Sequence, residues 1–202
     1  MAVDTVIFDV GMVLVDWDIR YLYRKLIADP DELEWFVTHV VTPQWHHQHD
    51  EGRDFADTSA ELMAAFPDQA ERIAVFGPRF GETLGEILPG MRTLVADLAS
   101  RHVPLFAITN FSHEFWPAFH AREASLFAPF RDIIVSGNEK LAKPDEAIYR
   151  LAAQRFGIEP QQALFIDDRA ENVAAAKAIG MAGHVFKSEA GLRADLQQRG
   201  LL

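Results

Sequence analysis

Five short runs rich in Val, Ile and Phe set the limits on how this chain can fold. They are "TVIFD" at 5–9, "PLFAIT" at 104–109, "DIIVS" at 132–136, "ALFID" at 163–167 and "GHVFK" at 183–187. Each is nearly continuous in apolar residues, where a strand with one wet face would alternate, so these runs read as strands covered on both sides. Segments of helical spacing lie between most of them. In "GMRTLVADLASRH" the apolar residues Met91, Leu94, Val95 and Leu98 form one stripe of an amphipathic helix. "KPDEAIYRLAAQRFGI" places Pro144 near a first turn and Gly157 at the stop, and "ENVAAAKAIGM" stops near Gly180. Strand–helix alternation of this kind predicts an α/β fold: a Rossmann-like, doubly wound parallel sheet.

Residues 17–88 interrupt the alternation. They hold no convincing strand and predict four helices: "YLYRKLIA", "DPDELEWFVTHV", "TPQWHHQHDEG", and a region over 57–85 broken at Pro67. Asp29 before Pro30 and Thr42 before Pro43 repeat one start signature, a capping side chain followed by Pro at the first helical position. The expected organisation is a core of residues 1–16 and 89–202 with an inserted, all-helical cap of residues 17–88.

Charge and composition narrow the partners. The 202 residues are 49% hydrophobic and 24% charged, ordinary globular values that allow a sizeable core. A formal net charge of -11 without any Lys/Arg run argues against nucleic acid or an anionic membrane as the main partner. There are no cysteines, so disulfides and thiolate metal sites are ruled out, which fits a cytoplasmic location. "MAVDTVIFD" has no basic region or long apolar stretch, so no signal peptide is expected, and no run of about 18 apolar residues suggests a membrane span. Monomer and homodimer are both compatible with the sequence.

In a doubly wound sheet, ligands bind beyond the carboxyl ends of the strands. The first strand ends in Asp9, with Gly11 two residues on; the second ends in Thr109, then Asn110; Lys143 follows the third in "GNEKLAKPD"; the fourth ends in Asp167 and Asp168. Three carboxylates, a hydroxyl and an ammonium should therefore meet at one sheet edge. Carboxylates that close repel one another. A divalent cation resolves the conflict, and oxygen ligands without Cys or a dedicated His set point to Mg²⁺. Cation, ammonium and hydroxyl together are the equipment of phosphoryl transfer, in which Asp9 can serve as nucleophile.

These strand-end segments resemble the motifs of the haloacid dehalogenase superfamily of hydrolases, over essentially the whole chain. "FDVGMVL", "AITN", "KLAKPDEAIY" and "FIDDRAENVAAAKAIGM" match its four motifs in order, and the insert is similar to its C1 cap. The resemblance implies a role for each matching residue. Asp9 is nucleophile and Mg²⁺ ligand; the Gly11 carbonyl is a second ligand; Asp168 binds the ion directly, and Asp167 directly or through water. Thr109 and the Asn110 amide hold phosphate oxygens, and Lys143 bridges Asp9 and phosphate. The implied substrate is a small phosphorylated metabolite, hydrolysed through an aspartyl phosphate.

One position departs from the common phosphatase form. Where that form has a second Asp as general acid, this chain has Gly11. Such acid help contributes roughly 10²–10⁴-fold. A sugar 1-phosphate, with its more acidic leaving oxygen, would need the acid less. "FDVGMVLVDWD" and "WHHQHDEGRDF" resemble a bacterial subgroup that includes α-D-glucose-1-phosphate phosphatases. The alternatives are a 2-haloacid dehalogenase, against which the Asp167–Asp168 pair argues, and a binder of a phosphorylated ligand with little turnover.

In the insert, Trp45 and His46 are the expected substrate contacts, with Trp45 a possible sugar-stacking ring. His46 and His49 share a helix face that a metal could use, although cap side chains are the commoner case. Asp50 and Arg53 are open to either reading. Asp16, Asp18 and His113 are candidates for the missing acid. Phe111 sits close enough to the site to touch substrate, and Asn172 is a candidate support for the metal loop.

Overall fold

Alternate residues of the first strand enter two separate cores, which is why its sequence is apolar without a break. In the computed structural model, which describes residues 3–202, Val6 and Phe8 join one buried cluster and Ile7 the other. The chain begins with β1 (Thr5–Phe8) and β2 (Val15–Trp17). Five helices follow: α1 (Arg20–Tyr23), α2 (Pro30–His39), α3 (Pro43–Asp50), α4 (Phe55–Ala65) and α5 (Ala70–Ala74). Strand β3 (Leu84–Ile87) closes the insert. Then come α6 (Met91–Ser100), β4 (Leu105–Thr109), α7 (Trp116–Arg122), α8 (Ala124–Phe127), β5 (Phe130–Val135) and α9 (Ser136–Glu139). The chain finishes with α10 (Glu146–Phe156), β6 (Ala163–Asp167), α11 (Ala170–Ala178), β7 (Ala182–Val185) and α12 (Glu189–Gln198).

The main sheet is wholly parallel, in the order β5-β4-β1-β6-β7. Strand β1 lies at its centre, with Phe8 opposite Ala107 on one side and Ile166 on the other. The five expected strands and the doubly wound α/β architecture are present. Two helix ends behave as their residues demand. Asp29 and Thr42 accept hydrogen bonds from the N–H groups of Glu32 and Trp45, at 2.8 and 3.1 Å. Each such cap contributes about 1 kcal/mol. Gly157 ends α10 in the left-handed region at φ +65°. Pro144, however, precedes the helix rather than opening it: Asp145 caps α10 through the Ala147 N–H at 2.9 Å.

The body of the insert is helical, and the break at Pro67 is real, with α4 stopping at Ala65. The expectation that 17–88 contains no strand fails at its end. Leu84–Ile87 pairs antiparallel with Val15–Trp17, Val15 opposite Ile87 and Trp17 opposite Leu84. "LGEI" carries too little apolar alternation to announce a strand; pairing with β2 makes it one. The ribbon ties both ends of the insert together beside β1. A second fastening lies at Gly52, where α3 ends at φ +87°; a Cβ there would stand 2.7 Å from the Gly137 carbonyl oxygen. This close backbone approach draws α3 onto α9 and so onto the carboxyl edge of the sheet.

Candidate active site

The strand order turns around β1, and the groups at the carboxyl ends of β1, β4 and β6 converge there. The Asp9 N–H donates to the Ile166 carbonyl of β6 at 2.8 Å, so its backbone is fixed to the neighbouring strand. Lys143 Nζ lies 2.7 Å from Asp9 Oδ1 and 2.8 Å from Asp167 Oδ2. The Val10 N–H also donates to Asp9 Oδ1, at 2.6 Å. Lys143 is placed in turn by Asn110, whose side chain accepts from the Lys143 N–H at 2.9 Å and donates to its carbonyl at 3.0 Å. Asn172 Nδ2 donates to both oxygens of Asp167 at 3.0 Å, and the Arg169 N–H donates to Oδ1 at 2.9 Å. The Thr109 hydroxyl, at the end of β4, is buried and finds no partner among the described residues.

This floor carries more negative charge than its one ammonium can balance. Lys143 is 2% exposed and Asp167 0%. Burial pushes the Asp9 carboxyl well above the usual range, against the pull of Lys143. Asp168 is pushed up by burial and by Asp167. Burial alone would lower the Lys143 ammonium, but Asp9 and Asp167 outweigh it and hold it above its ordinary value. Carboxylate oxygens of Asp9, Asp167 and Asp168 all lie within 4.8 Å of one another. Three acids against one base leave two negative charges in a poorly solvated place, so the donor set fits a hard divalent ion such as Mg²⁺. Asp167 already has protein donors on both oxygens; Asp9 and Asp168 line the open cleft, as does Gly11.

That cleft, of about 440 Å³, is roofed by the insert. Trp17, Gln44, His46, His47 and Asp50 form one wall; Met12, Phe80, Leu84 and Phe111 supply apolar surface. Met12 reaches it because residue 12 adopts a left-handed turn at φ +56°, uncommon without glycine. The His46 ring stacks on Trp17 at 5.0 Å between centroids and on Phe80 at 6.0 Å. Sequence reasoning missed Trp17 and Phe80 as cleft residues. His47 and Asp50 sit three apart on one helix, a signal that was present; Phe80 had none, because only the tertiary fold carries it across to His46.

Trp45, expected to contact substrate, is turned away. It is 5% exposed, donates from Nε1 to the Thr58 carbonyl at 3.2 Å, and packs on Phe55 and Phe76. The reason is helix phase: Trp45 and His49, four apart, face α4, while His46, His47 and Asp50 face the cleft. His49 is buried with Nε2 2.7 Å from the Thr58 hydroxyl, so it does not join His46 in holding a metal. Arg53 reaches out to Gln48 and Glu61. The Asn110 side chain lines the cleft but its amide is engaged with the Lys143 backbone. Among the candidates for the missing acid, Asp16 is held by the Tyr21 hydroxyl, Asp18 accepts from the Arg20 N–H at 2.9 Å, and His113 pairs with Asp54 at 3.4 Å. None of the three borders the cleft with Asp9.

The haloacid dehalogenase-like hydrolase family matches residues 3–180. Flavin mononucleotide hydrolase 1 of Arabidopsis thaliana is 32% identical over 114 residues, 56% of this chain, which span 46% of that protein. The sesquiterpene phosphatase astK of Aspergillus oryzae is 27% identical over 88% of this chain and 86% of its own length. A variant of a HAD family enzyme from Bacteroides thetaiotaomicron, solved with magnesium and inorganic phosphate, superposes with a TM-score of 0.70. It is 20% identical over 93% of this chain and 95% of its own, a likeness of fold. Among the described residues no helix is long and apolar enough to cross a membrane.

Proposed function

We propose, for a chain that belongs to the haloacid dehalogenase-like hydrolase family, that it hydrolyses the phosphate ester of a small metabolite with Mg²⁺ as cofactor. The observation that carries this reading is the buried floor in which Lys143 joins Asp9 to Asp167 while Asp168 stands open beside them. Asp9 Oδ2 takes no hydrogen bond from the described residues and is the oxygen free to attack phosphorus. Attack in line breaks the P–O ester bond, the alcohol leaves, and Asp9 carries the phosphoryl group. Water then attacks that phosphorus and releases inorganic phosphate and the Asp9 carboxylate.

Asp9, Asp168, the Gly11 carbonyl and, directly or through water, Asp167 would hold Mg²⁺. When bound, the ion supplies charge neutralisation for the transferred group and lets three acids stay ionised together. Lys143 orients Asp9 and offsets charge on the phosphoryl oxygens. The buried Thr109 hydroxyl, without a hydrogen-bond partner among the described residues, is suited to a phosphate oxygen. Residues 17–88 act as the cap, and the Trp17–His46–Phe80 stack beside Gln44 and Asp50 offers both a flat apolar face and polar groups. That mixture suits a sugar phosphate. The relatives' names, one a phosphatase and one a hydrolase of a phosphorylated flavin, support phosphate esters as substrates. Attack on the carbon of a 2-haloacid would need no cation, and the third carboxylate would then only add repulsion.

The test is a phosphate-release screen across sugar phosphates, nucleotides and acyl phosphates, with and without Mg²⁺, with 2-haloacids alongside. Mg²⁺-dependent release from at least one ester is the expected result. Halide release without phosphate release would replace this reading with dehalogenation.

A further inference from the structure

We infer that His47, braced by Asp50 on the same cap helix, protonates the leaving oxygen in place of the carboxylate absent at residue 11; the inference rests on the phosphatase reading above. An ester of an ordinary alcohol needs a proton as its P–O bond breaks, and residue 11 has none to give. A Cβ built on Gly11 would meet nothing within 4 Å, so the position opens onto free space. The donor must come from another wall of the same cleft.

Elimination leaves few groups. Lys143 is spent on two carboxylates, Asp9 is the attacking group, and Asp168 belongs to the cation side. Asn110 and Gln44 are neutral amides, and Arg169 does not release a proton near neutral pH. The remaining titratable residues are His46, His47 and Asp50, all on α3. His46 is clamped between the Trp17 and Phe80 rings, and its Nε2 is 4.0 Å from Asp50 Oδ1. Burial lowers its pKa, which disfavours the imidazolium that an acid needs.

His47 stands differently. Its side chain is 42% exposed, with Nδ1 3.7 Å from Asp50 Oδ2 and Nε2 3.6 Å from Glu51 Oε1. The Asp50 carboxylate raises its pKa, with Glu51 adding to the effect and burial and Arg169 opposing it. Lys140 and Lys143 line the adjoining groove with His47. Asp50 is 7% exposed, and its Oδ1 lacks a hydrogen-bond partner among the described residues. A buried carboxylate with a spare oxygen in a cleft wall is costly unless it serves a charge. His47 borders both the main cleft and the groove beside Lys143, so its ring lies on the cap side of the cleft that Asp9 and Lys143 also line.

The step balances simply. As the P–O bond breaks, a His47 N–H passes its proton to the ester oxygen, the alcohol departs neutral, and the ring is left neutral. The same ring then takes a proton from the water that attacks the aspartyl phosphate, and the imidazolium returns.

The experiment uses the full chain with Mg²⁺ and two esters of similar shape. Phenyl phosphate has a poor leaving group that needs the proton; p-nitrophenyl phosphate has a good one that does not. His47→Gln is expected to lower kcat/KM, which reports phosphoryl transfer to Asp9 and not the later hydrolysis, by about 100-fold on phenyl phosphate and by no more than about threefold on p-nitrophenyl phosphate. Asp50→Asn keeps the imidazole and should show the same preference at about a tenth of the amplitude. Adding Gly11→Asp to His47→Gln should recover at least about tenfold on phenyl phosphate alone. Equal losses of kcat/KM on both esters, or loss on neither, would overturn the assignment. If the unaltered protein releases phosphate from neither ester nor from any in the screen, the phosphatase reading fails first, and visibly so.

Discussion

The floor and the roof of the cleft are built on different principles. On the floor, Asp9, Thr109 and Asp167 stand at strand ends, where a parallel sheet with both faces covered fixes the backbone. The Asp9 and Asp167 side chains are then locked by short charge-assisted contacts through Lys143 and Asn172, and Asn110 braces the Lys143 backbone. On the roof, the cleft residues of α3 are set by which way a helix of eight residues is rolled, and that roll is set by aromatic packing of Trp45, Phe55 and Phe76 behind it. The lesson is that charge chemistry is anchored where the backbone cannot move, while recognition is carried by a surface that packing can re-aim.

The sharpest way to break that division is at Asp9. Asp9→Asn is expected to lower phosphate release by at least about 10⁴-fold, with the far-UV circular dichroism unchanged. Retained turnover would remove Asp9 from the nucleophile's place. Chelation of divalent ions by EDTA should abolish turnover almost as completely while the fold persists, and added Mg²⁺ should restore it; activity that survives chelation would count against the charge argument for the floor. Lys143→Met leaves the Asp9 and Asp167 carboxylates facing each other in a buried site. It should cost about 3 kcal/mol by denaturant titration, as well as most of the activity, because breaking a buried ion pair strands its partners. An unaltered midpoint would show that the floor is better hydrated than its burial suggests.

The roof allows a finer contrast between two tryptophans. Trp45→Ala empties the packed side of α3 and should destabilise the protein by about 3–5 kcal/mol. Trp17→Ala removes a cleft-facing ring stacked on His46, and should cost under about 1.5 kcal/mol while raising KM about tenfold. If Trp45→Ala instead raised KM with stability intact, the roll of α3 described here would be wrong.

The same contrast explains how much could be read beforehand. All five strands of the main sheet were legible: β1, β4 and β6 are buried throughout and read as continuous apolar runs, and the partly exposed edge strands β5 and β7 lie within short runs rich in Val, Ile or Phe. The strand-end residues Asp9, Asp167 and Asp168 followed from them, since topology alone delivers strand ends to one edge, and Lys143 comes from the loop beyond α9. The ribbon of Val15–Trp17 and Leu84–Ile87 was not legible: two such short strands exist by virtue of pairing, which leaves little trace in composition. Trp45 was misjudged because periodicity shows which residues share a helix face, and says nothing of which face meets the cleft. Asn110 showed a further limit, its side chain being drawn into bracing the Lys143 backbone.

From its amino acids alone the chain was committed to a parallel sheet with acids along one edge, because apolar strand runs and the turns after them are local properties. Tertiary packing settled the rest: the number of carboxylates that share one lysine, the orientation of α3, and the meeting of Trp17, His46 and Phe80 from three distant segments. Those depend on distances between residues far apart in the chain, and such distances are set only when the whole core closes.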